Sequence, residues 1–250
     1  MASFITCTYP SKILCTNVTF HMILPKKRLT VSESEDWNPK AFPSLYLLHG
    51  AMEDGLTIIH NSNICALADM YDVAIILPSL NNSFFINKQH EFLVNELVPY
   101  TRKYFSLSQE REDTYIAGFS MGGYGAFYNG LKCPDLFSKI ISISGSLDIS
   151  LAAIFVRNCG ASIPDCLVDK QMRKAYELEP MIRPDLSQQY YLSCGKNDFL
   201  TAANERFCNL LLRQGIDYTY AEREGGHDWK LWSEELKAVF DWINIAKKTG

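Results

Sequence analysis

Short apolar runs alternate with helix-like segments along most of this chain, and this alternation limits its possible folds more than any other feature does. The apolar runs are SLYLLHG, DVAIILPS, DTYIAGF, KIISISGS and QYYLSCG. Runs of this kind suit strands that are buried on both faces of a parallel sheet. Strands that alternate with helices imply an α/β fold, in which a mostly parallel central sheet is flanked by helices on both faces.

The remaining predicted elements complete this series. FITCTYPS and CTNVTFHMILP alternate apolar with polar residues, which indicates a half-buried antiparallel edge, and DYTYAERE predicts the last strand. Helices are predicted at ICALADMY, NKQHEFLVNELVPYTRKYF, residues 120–131, AANERFCNLLLRQG and WKLWSEELKAVFDWINIAKK. The polar, proline-bearing stretch VSESEDWNPKAFP is predicted to form a turn.

One interval, 146–188, breaks the alternation and is predicted to be a helical and irregular insertion between two strands. Insertions of this size often cover the carboxyl ends of the strands, where ligands bind in open α/β sheets. The 250 residues suit one large α/β domain, so we predict a single domain over 1–250 with a cap-like insertion at 146–188.

Charge and hydropathy argue against nucleic-acid and membrane partners. The formal net charge is −4, and the densest basic cluster, at 26–28, is expected to be a solvated turn. No apolar run reaches the roughly 18 residues that a membrane helix needs. The N-terminal residues have no charged segment followed by an apolar one, so a signal peptide is not expected and we predict a cytoplasmic protein.

The eight cysteines do not have the spacing of a metal site. None forms a C-x-x-C pair or has histidine at zinc-ligand spacing, and no metal is predicted. Without an export signal they are expected to be reduced and mostly buried thiols. A disulfide between Cys159 and Cys166 is the favoured exception if the protein is exported.

The segment AGFSMGGYGA contains the pattern G-x-S-x-G around Ser120. A serine on a sharp turn from a strand into a helix has strained backbone angles, and the residues two before and two after it must be small. Gly118 and Gly122 meet this demand, and the context is a predicted strand followed by a predicted helix. The motif predicts a nucleophilic serine; the alternative is an ordinary glycine-rich turn.

A serine nucleophile needs a base that is oriented by a carboxylate. In this architecture the chain order is serine, acid, histidine, and here Asp198 follows the strand QYYLSCG and His227 follows the last strand. Asp148, after an earlier strand, is a competing acid. Asp228 is adjacent to the histidine in sequence and is expected to be a surface or capping residue.

Two backbone N–H groups are predicted to form an oxyanion hole. One is that of Met121, directly after the serine, and the other is that of Ala51, in the loop after SLYLLHG. Gly50 lets the backbone approach the site, and His49 is expected to hydrogen-bond this loop rather than to react. Substrate-pocket positions are assigned to His49, Gly50, Phe199 and Trp229, with Met121 as a further wall candidate and core packing as the alternative.

With these residues in place, the chain resembles the esterase D and tributyrin esterase-like family of α/β-hydrolases, which is similar to S-formylglutathione hydrolases, feruloyl esterases and mycolyl transferases. The resemblance is carried by YLLHG with AMEDG, GFSMGGYGAF with CPDLFSKIISISG, CGKNDFL and GGHDWKLW. It implies Ser120 as nucleophile, Asp198 as acid and His227 as base, with oxyanion donors on Met121 and Ala51. The AMEDG loop departs from the more glycine-rich run of many relatives.

The predicted function is that of a serine carboxylesterase acting on small-molecule esters, without a cofactor. The resemblance implies short acyl groups, acetyl to butyryl, with O-acetylated sugars among the candidate substrates. The alternatives are an S-formylglutathione hydrolase or other thioesterase, an acyltransferase to an alcohol, and a non-catalytic binding protein of the same fold. A monomer and a homo-oligomer both stay open.

Overall fold

The computed structural model describes residues 2–26 and 41–248, and the side chains up to residue 244. Most of the turn predicted at 31–43 and two residues of the basic cluster at 26–28 lie outside the described residues. Within them, eight strands form one hydrogen-bonded sheet in the order β1-β2-β4-β3-β5-β6-β7-β8. The strands are β1 (Ser3–Ser11), β2 (Thr16–Leu24), β3 (Ser44–Leu48), β4 (Ala74–Pro78), β5 (Thr114–Phe119), β6 (Lys139–Ile143), β7 (Gln189–Gly195) and β8 (Thr219–Arg223).

The strands β3 to β8 run parallel to one another, while β1 and β2 form an antiparallel edge next to β4. The α-helices are α1 (Gly55–Asn61), α2 (Ile64–Tyr71), α3 (Lys88–Phe92), α4 (Val98–Tyr104), α5 (Met121–Lys132), α6 (Ile149–Asn158), α7 (Asp165–Val168), α8 (Lys170–Arg173), α9 (Thr201–Arg213) and α10 (Trp229–Lys248). The mostly parallel α/β sheet predicted from the alternating pattern is confirmed.

Helices cover both faces of the sheet because the side chains of each buried strand point alternately to opposite sides. Leu45 and Leu47 of β3 belong to a cluster with side chains of α1, α2 and α10, while Tyr46 and Leu48 belong to the cluster formed with α3, α4, α5 and α9. All five residues of β3 are buried. The carboxyl ends of the parallel strands therefore share one edge, at which the loops emerge.

Two local features differ from the sequence-based expectations. The helix α1 follows β3, in a place where the sequence indicated only the acidic loop AMEDG. The Asp54 side chain caps α1 by accepting from the Thr57 N–H, and the Thr57 side chain accepts from the Asp54 N–H. The long helix predicted after β4 consists of α3 and α4 joined by a π-helical turn at Leu93–Leu97. The insertion at 146–188 agrees with its expected helical and irregular character, since it contains α6, α7 and α8 with two short 3₁₀ turns.

All eight cysteines are free thiols, so the disulfide considered between Cys159 and Cys166 does not form in this structure. Three are buried, and Cys15 and Cys159 are exposed. Among the described residues, no helix has both the length and the apolar character of a membrane span. In the same part of the chain, no group of three His, Cys, Asp or Glu side chains is arranged to hold a metal ion.

Candidate active site

Ser120 lies between the end of β5 and the start of α5 with φ of 51° and ψ of −114°, a strained conformation for a residue with a side chain. The chain turns so tightly here that a Cβ at Gly118 would come within 2.2 Å of the Gly122 backbone. A Cβ at Gly122 would come equally close, 2.2 Å, to the Leu48 carbonyl oxygen. The two glycines of the motif are therefore required by close backbone packing.

A chain of hydrogen bonds joins the three residues that the sequence nominated as nucleophile, base and acid. Ser120 Oγ lies 2.9 Å from His227 Nε2. His227 Nδ1 lies 2.9 Å from Asp198 Oδ2 and 3.1 Å from Asp198 Oδ1. These residues leave β5, β7 and β8 at the same edge of the sheet, which explains how positions 120, 198 and 227 meet.

The Asp198 carboxylate is held ionised by its neighbours. Its side chain is fully shielded from solvent, and Oδ1 also accepts a 2.8 Å hydrogen bond from the Leu200 N–H. Burial favours the protonated acid, but the hydrogen bond and charge of His227, with the Leu200 N–H, outweigh it and lower the pKa of Asp198. A buried carboxylate against Nδ1 favours the tautomer in which Nδ1 carries the proton and Nε2 is free to accept one.

The two competing acids lie elsewhere. Asp148 caps α6, accepting from the Ser150 and Leu151 N–H groups at 3.1 Å. Asp228 accepts from the Leu231 N–H at 3.1 Å and so caps the start of α10, in the role predicted for it. Within the part of the chain that the structure describes, neither makes a hydrogen bond to His227.

One predicted oxyanion donor directly follows Ser120 in sequence, and the other belongs to a loop close to Ser120. Met121 begins α5, where the first N–H groups of a helix have no partner inside it, and Ser120 provides no side-chain cap. The other loop lies close by, since a Cβ at Gly50 would be 3.7 Å from Ser120 Cβ. Among the described residues, neither Met121 N–H nor Ala51 N–H is bonded to a backbone acceptor.

His49 holds this loop through hydrogen bonds of its ring. Its Nε2 accepts a hydrogen bond from the Leu80 N–H at 3.1 Å, which leaves Nδ1 to donate to the Gly50 carbonyl at 2.7 Å. The ring is fully buried, and this burial lowers the pKa of His49. Its side chain therefore offers no surface to a substrate, and its contacts are those expected of a residue that holds the loop.

Of the other predicted pocket residues, Phe199 has a ring contact with His227. The Phe199 ring is 55% exposed and its centroid lies 4.6 Å from that of His227 and 4.8 Å from that of Phe155, on α6. Trp229 is half-buried, with its ring 5.0 Å from that of Phe119. Met121, by contrast, is buried in the core, so its side chain does not line an open wall.

One polar residue of the site was not singled out from the sequence. Glu53 accepts hydrogen bonds from the Gly50 N–H at 3.0 Å and from Trp229 Nε1 at 2.7 Å. Burial raises the pKa of Glu53, and the Trp229 and Gly50 hydrogen bonds and the nearby His227 offset this only in part. The only signal in the sequence was an acidic pair shortly after His49-Gly50.

Comparison with known proteins shows the family to which this chain belongs. The Esterase family model matches residues 81–243, more than half of the chain. This chain belongs to the Esterase family. An acetyl esterase of Caldicellulosiruptor saccharolyticus is 35% identical over 259 residues, covering 94% of this chain and 95% of that protein.

Solved structures give the same result at the level of the fold. A fluorophosphonate-binding serine hydrolase of Staphylococcus aureus, FphF, matches with a TM-score of 0.83 and 25% identity over 97% of this chain and 98% of its own. An S-formylglutathione hydrolase (FrmB) of the same organism matches with the same TM-score and identity over 97% and 99%. This member of the Esterase family is an α/β-hydrolase-fold serine esterase, a carboxylic ester hydrolase.

Proposed function

We propose that this esterase hydrolyses short-chain acyl esters, acetyl to butyryl, through a Ser120–His227–Asp198 triad and an acyl-enzyme intermediate. The observation that carries the proposal is the continuous hydrogen-bond chain from Ser120 Oγ through both ring nitrogens of His227 to the buried Asp198 carboxylate. Each contact is 3.1 Å or shorter, within the range for proton transfer between heavy atoms.

Acylation begins when Ser120 Oγ attacks the ester carbonyl carbon and its proton passes to His227 Nε2. Asp198 keeps the imidazole oriented and stabilises the imidazolium through Nδ1–H. The negative charge that develops on the carbonyl oxygen is stabilised by the N–H groups of Met121 and Ala51. His227 then gives the proton to the leaving alcohol as the carbon–oxygen bond breaks.

Deacylation repeats these steps with water in place of the serine. His227 takes a proton from the water, the hydroxide attacks the acyl carbon, and Ser120 leaves with the proton returned by His227. The acid product departs and the site returns to its starting state. The strained backbone of Ser120 exposes Oγ to both the substrate and the water.

The short acyl range is supported by the acetyl esterase relative at 35% identity. Phe199 and Trp229 are proposed as pocket walls because both are partly exposed and both lie within two residues of a triad member. O-acetylated sugars are candidate natural substrates. Hydrolysis of S-formylglutathione is the second candidate, favoured by the solved S-formylglutathione hydrolase that matches 97% of the chain.

The first test is covalent labelling of the intact protein with a fluorophosphonate, followed by mass spectrometry. One equivalent should attach to Ser120, and labelling should be lost in Ser120→Ala and strongly slowed in His227→Ala. The matched controls are Ser187→Ala and His60→Ala, both at exposed positions. Full labelling of Ser120→Ala would refute the assignment of the nucleophile.

The second test compares kcat/KM for p-nitrophenyl acetate, butyrate and octanoate, S-formylglutathione and an acetylated sugar. The proposal expects acetate and butyrate to exceed octanoate. A rate on S-formylglutathione well above that on every ester would replace the carboxylesterase assignment with the thioesterase one. Wild-type protein that labels with fluorophosphonate but turns over none of these compounds would contradict the proposed substrate class.

A further inference from the structure

Glu53 joins two loops that are far apart in the sequence. It lies between β3 and α1, in the loop that carries the proposed donor Ala51. One carboxylate oxygen accepts from the Gly50 N–H at 3.0 Å, and the other accepts from the indole N–H of Trp229 at 2.7 Å. Trp229 begins α10 and follows His227 by two residues, so one side chain contacts both the oxyanion loop and the loop of the base.

The two partners of Glu53 are both donors, and this determines which side chain can serve here. A carboxylate presents two acceptor oxygens and can satisfy both N–H groups. A glutamine of the same shape has one acceptor oxygen, and its NH₂ group would face the second N–H. An acidic side chain is therefore required by the hydrogen-bond pattern itself, as well as by its reach.

On the oxyanion side, Glu53 determines where the N–H groups of the loop point. The Gly50 N–H donates to the carboxylate, and Ala51 N–H is bonded to no backbone acceptor in the described residues. A Cβ at Gly50 would meet Glu53 Oε2 at 2.7 Å and Ser120 Cβ at 3.7 Å, so the carboxylate and Ser120 both lie close to this residue of the turn.

On the side of the base, packed aromatic rings connect Trp229 to His227. The Trp229 ring lies 5.0 Å from that of Phe119, the residue before Ser120, and 5.1 Å from that of Trp232. Trp232 in turn meets His227 edge to face at 4.9 Å. Rotation of Trp229 would therefore disturb the support of both Ser120 and His227.

We propose that Glu53 is a positioning residue for catalysis, which holds the Gly50–Ala51 turn and the His227 loop in register with Ser120. It acts through Gly50 and Trp229 and does not touch the substrate. This inference rests on the proposed function, since it assigns Ala51 N–H and His227 the roles given above. A displacement of about 1 Å in such a site costs on the order of 100-fold in rate.

The test is a cycle of four proteins: wild type, Glu53→Gln, Trp229→Phe and the double variant, assayed on p-nitrophenyl acetate. Glu53→Gln should lower kcat by roughly 10- to 100-fold with little change in KM, because an N–H is left facing an NH₂ group. In the double variant the indole donor is absent, so the single amide oxygen that Glu53→Gln leaves at this position can accept from the Gly50 N–H. Its kcat should therefore exceed that of Glu53→Gln alone.

The matched control is Glu234→Gln, which makes the same change at an exposed position of α10 and should keep wild-type kcat. The midpoint of urea unfolding is measured for each protein to confirm that it is folded at the assay temperature. If Glu53→Gln is not folded, Glu53→Asp replaces it; its shorter side chain cannot reach both donors, and kcat should fall.

The outcomes separate this proposal from the function on which it rests. Wild-type kcat in folded Glu53→Gln, or a double variant no more active than Glu53→Gln, would overturn the positioning role while Ser120→Ala stays inactive. Activity retained in Ser120→Ala would instead overturn the proposed function. If Glu53 had only a general structural role, the losses of kcat in the two single variants would add in the double variant. The hydrogen-bond pattern instead requires that the double variant recover part of the kcat that Glu53→Gln loses.

Discussion

The carboxyl edge of the sheet and the 146–188 segment contribute to the site in different ways. At the edge, the Asp198 side chain is fully shielded from solvent and hydrogen-bonded to His227 and to the Leu200 N–H. In the 146–188 segment, large apolar side chains are directed to solvent. Those that are about half exposed are Leu151, Ile154, Phe155, Val168 and Met172.

We propose that this difference separates the chemical step from the choice of substrate. The proposed triad would act on the reacting atoms, which are the same in every ester. From α6, Phe155 stacks on Phe199, and Phe199 lies beside His227. Substitutions at the edge should therefore affect all substrates alike, and substitutions in the segment should affect them selectively.

The largest expected effect is that of Asp198→Asn at the edge. Loss of the carboxylate removes the charge that stabilises the imidazolium and favours the wrong tautomer of His227, so kcat should fall by about 10⁴-fold for every ester. The measurement is kcat on p-nitrophenyl acetate and butyrate. Asp148→Asn, in the 146–188 segment, keeps its helix-capping oxygen and should keep near-normal kcat; a large loss there with an active Asp198→Asn would exchange their roles.

The next largest effect is expected on the free energy of unfolding, in a comparison of one glycine from each region. Gly122→Ala places a Cβ within 2.2 Å of the Leu48 carbonyl, where only backbone movement can relieve the clash, and should lower the free energy of unfolding by about 3 kcal/mol or more. Gly160→Ala, after α6, meets no atom within 4 Å but has φ of 80°, which costs about 1 kcal/mol. Urea unfolding measures both. Equal losses would mean that the edge is no more tightly packed than the segment.

The edge was also the part that could be predicted from the sequence. Buried strands leave uninterrupted apolar runs, and Gly118 and Gly122 mark the sharp turn, so the positions of Ser120, Asp198 and His227 followed from the order of the elements. These signals are local, or depend on chain order alone. The same reasoning predicted the antiparallel strands β1 and β2 and the helices that flank the sheet.

Features that depend on contacts between distant residues could not be predicted in this way. Glu53 and Trp229 are 176 positions apart, and nothing near either one indicates the other. The π-helical turn at Leu93–Leu97 has the same apolar pattern as a regular helix. The helix α1 did leave a local signal, an Asp54 cap followed three residues later by Thr57, but it was obscured by the acidic loop before it.

A smaller and selective effect is expected for Phe155→Ala in the 146–188 segment. Its ring stacks on Phe199 and is 46% exposed, so its removal leaves the core intact and shortens the apolar surface beside His227. We expect kcat/KM for p-nitrophenyl octanoate to fall about 3- to 10-fold and that for acetate to stay unchanged. Met70→Ala, which truncates an exposed side chain on α2, is the control. An equal loss on both esters would place Phe155 with the edge residues.

The smallest effect is a pH dependence of stability that originates outside the 146–188 segment, which contains no histidine. Burial lowers the pKa of His49 in the folded protein, and the same cause acts on His21 and His90. The unfolded chain then binds more protons below about pH 6.5, so the free energy of unfolding should decrease as pH falls below that value, by at most about 1.4 kcal/mol per pH unit for each proton. Urea unfolding between about pH 7 and 5.5 measures how the free energy of unfolding changes with pH. His49→Asn should be less stable at pH 7 and should show a shallower change of this free energy with pH. His60→Asn, at an exposed position, should keep the wild-type slope. An unchanged slope in His49→Asn would mean that the folded protein protonates this ring as readily as the unfolded chain does.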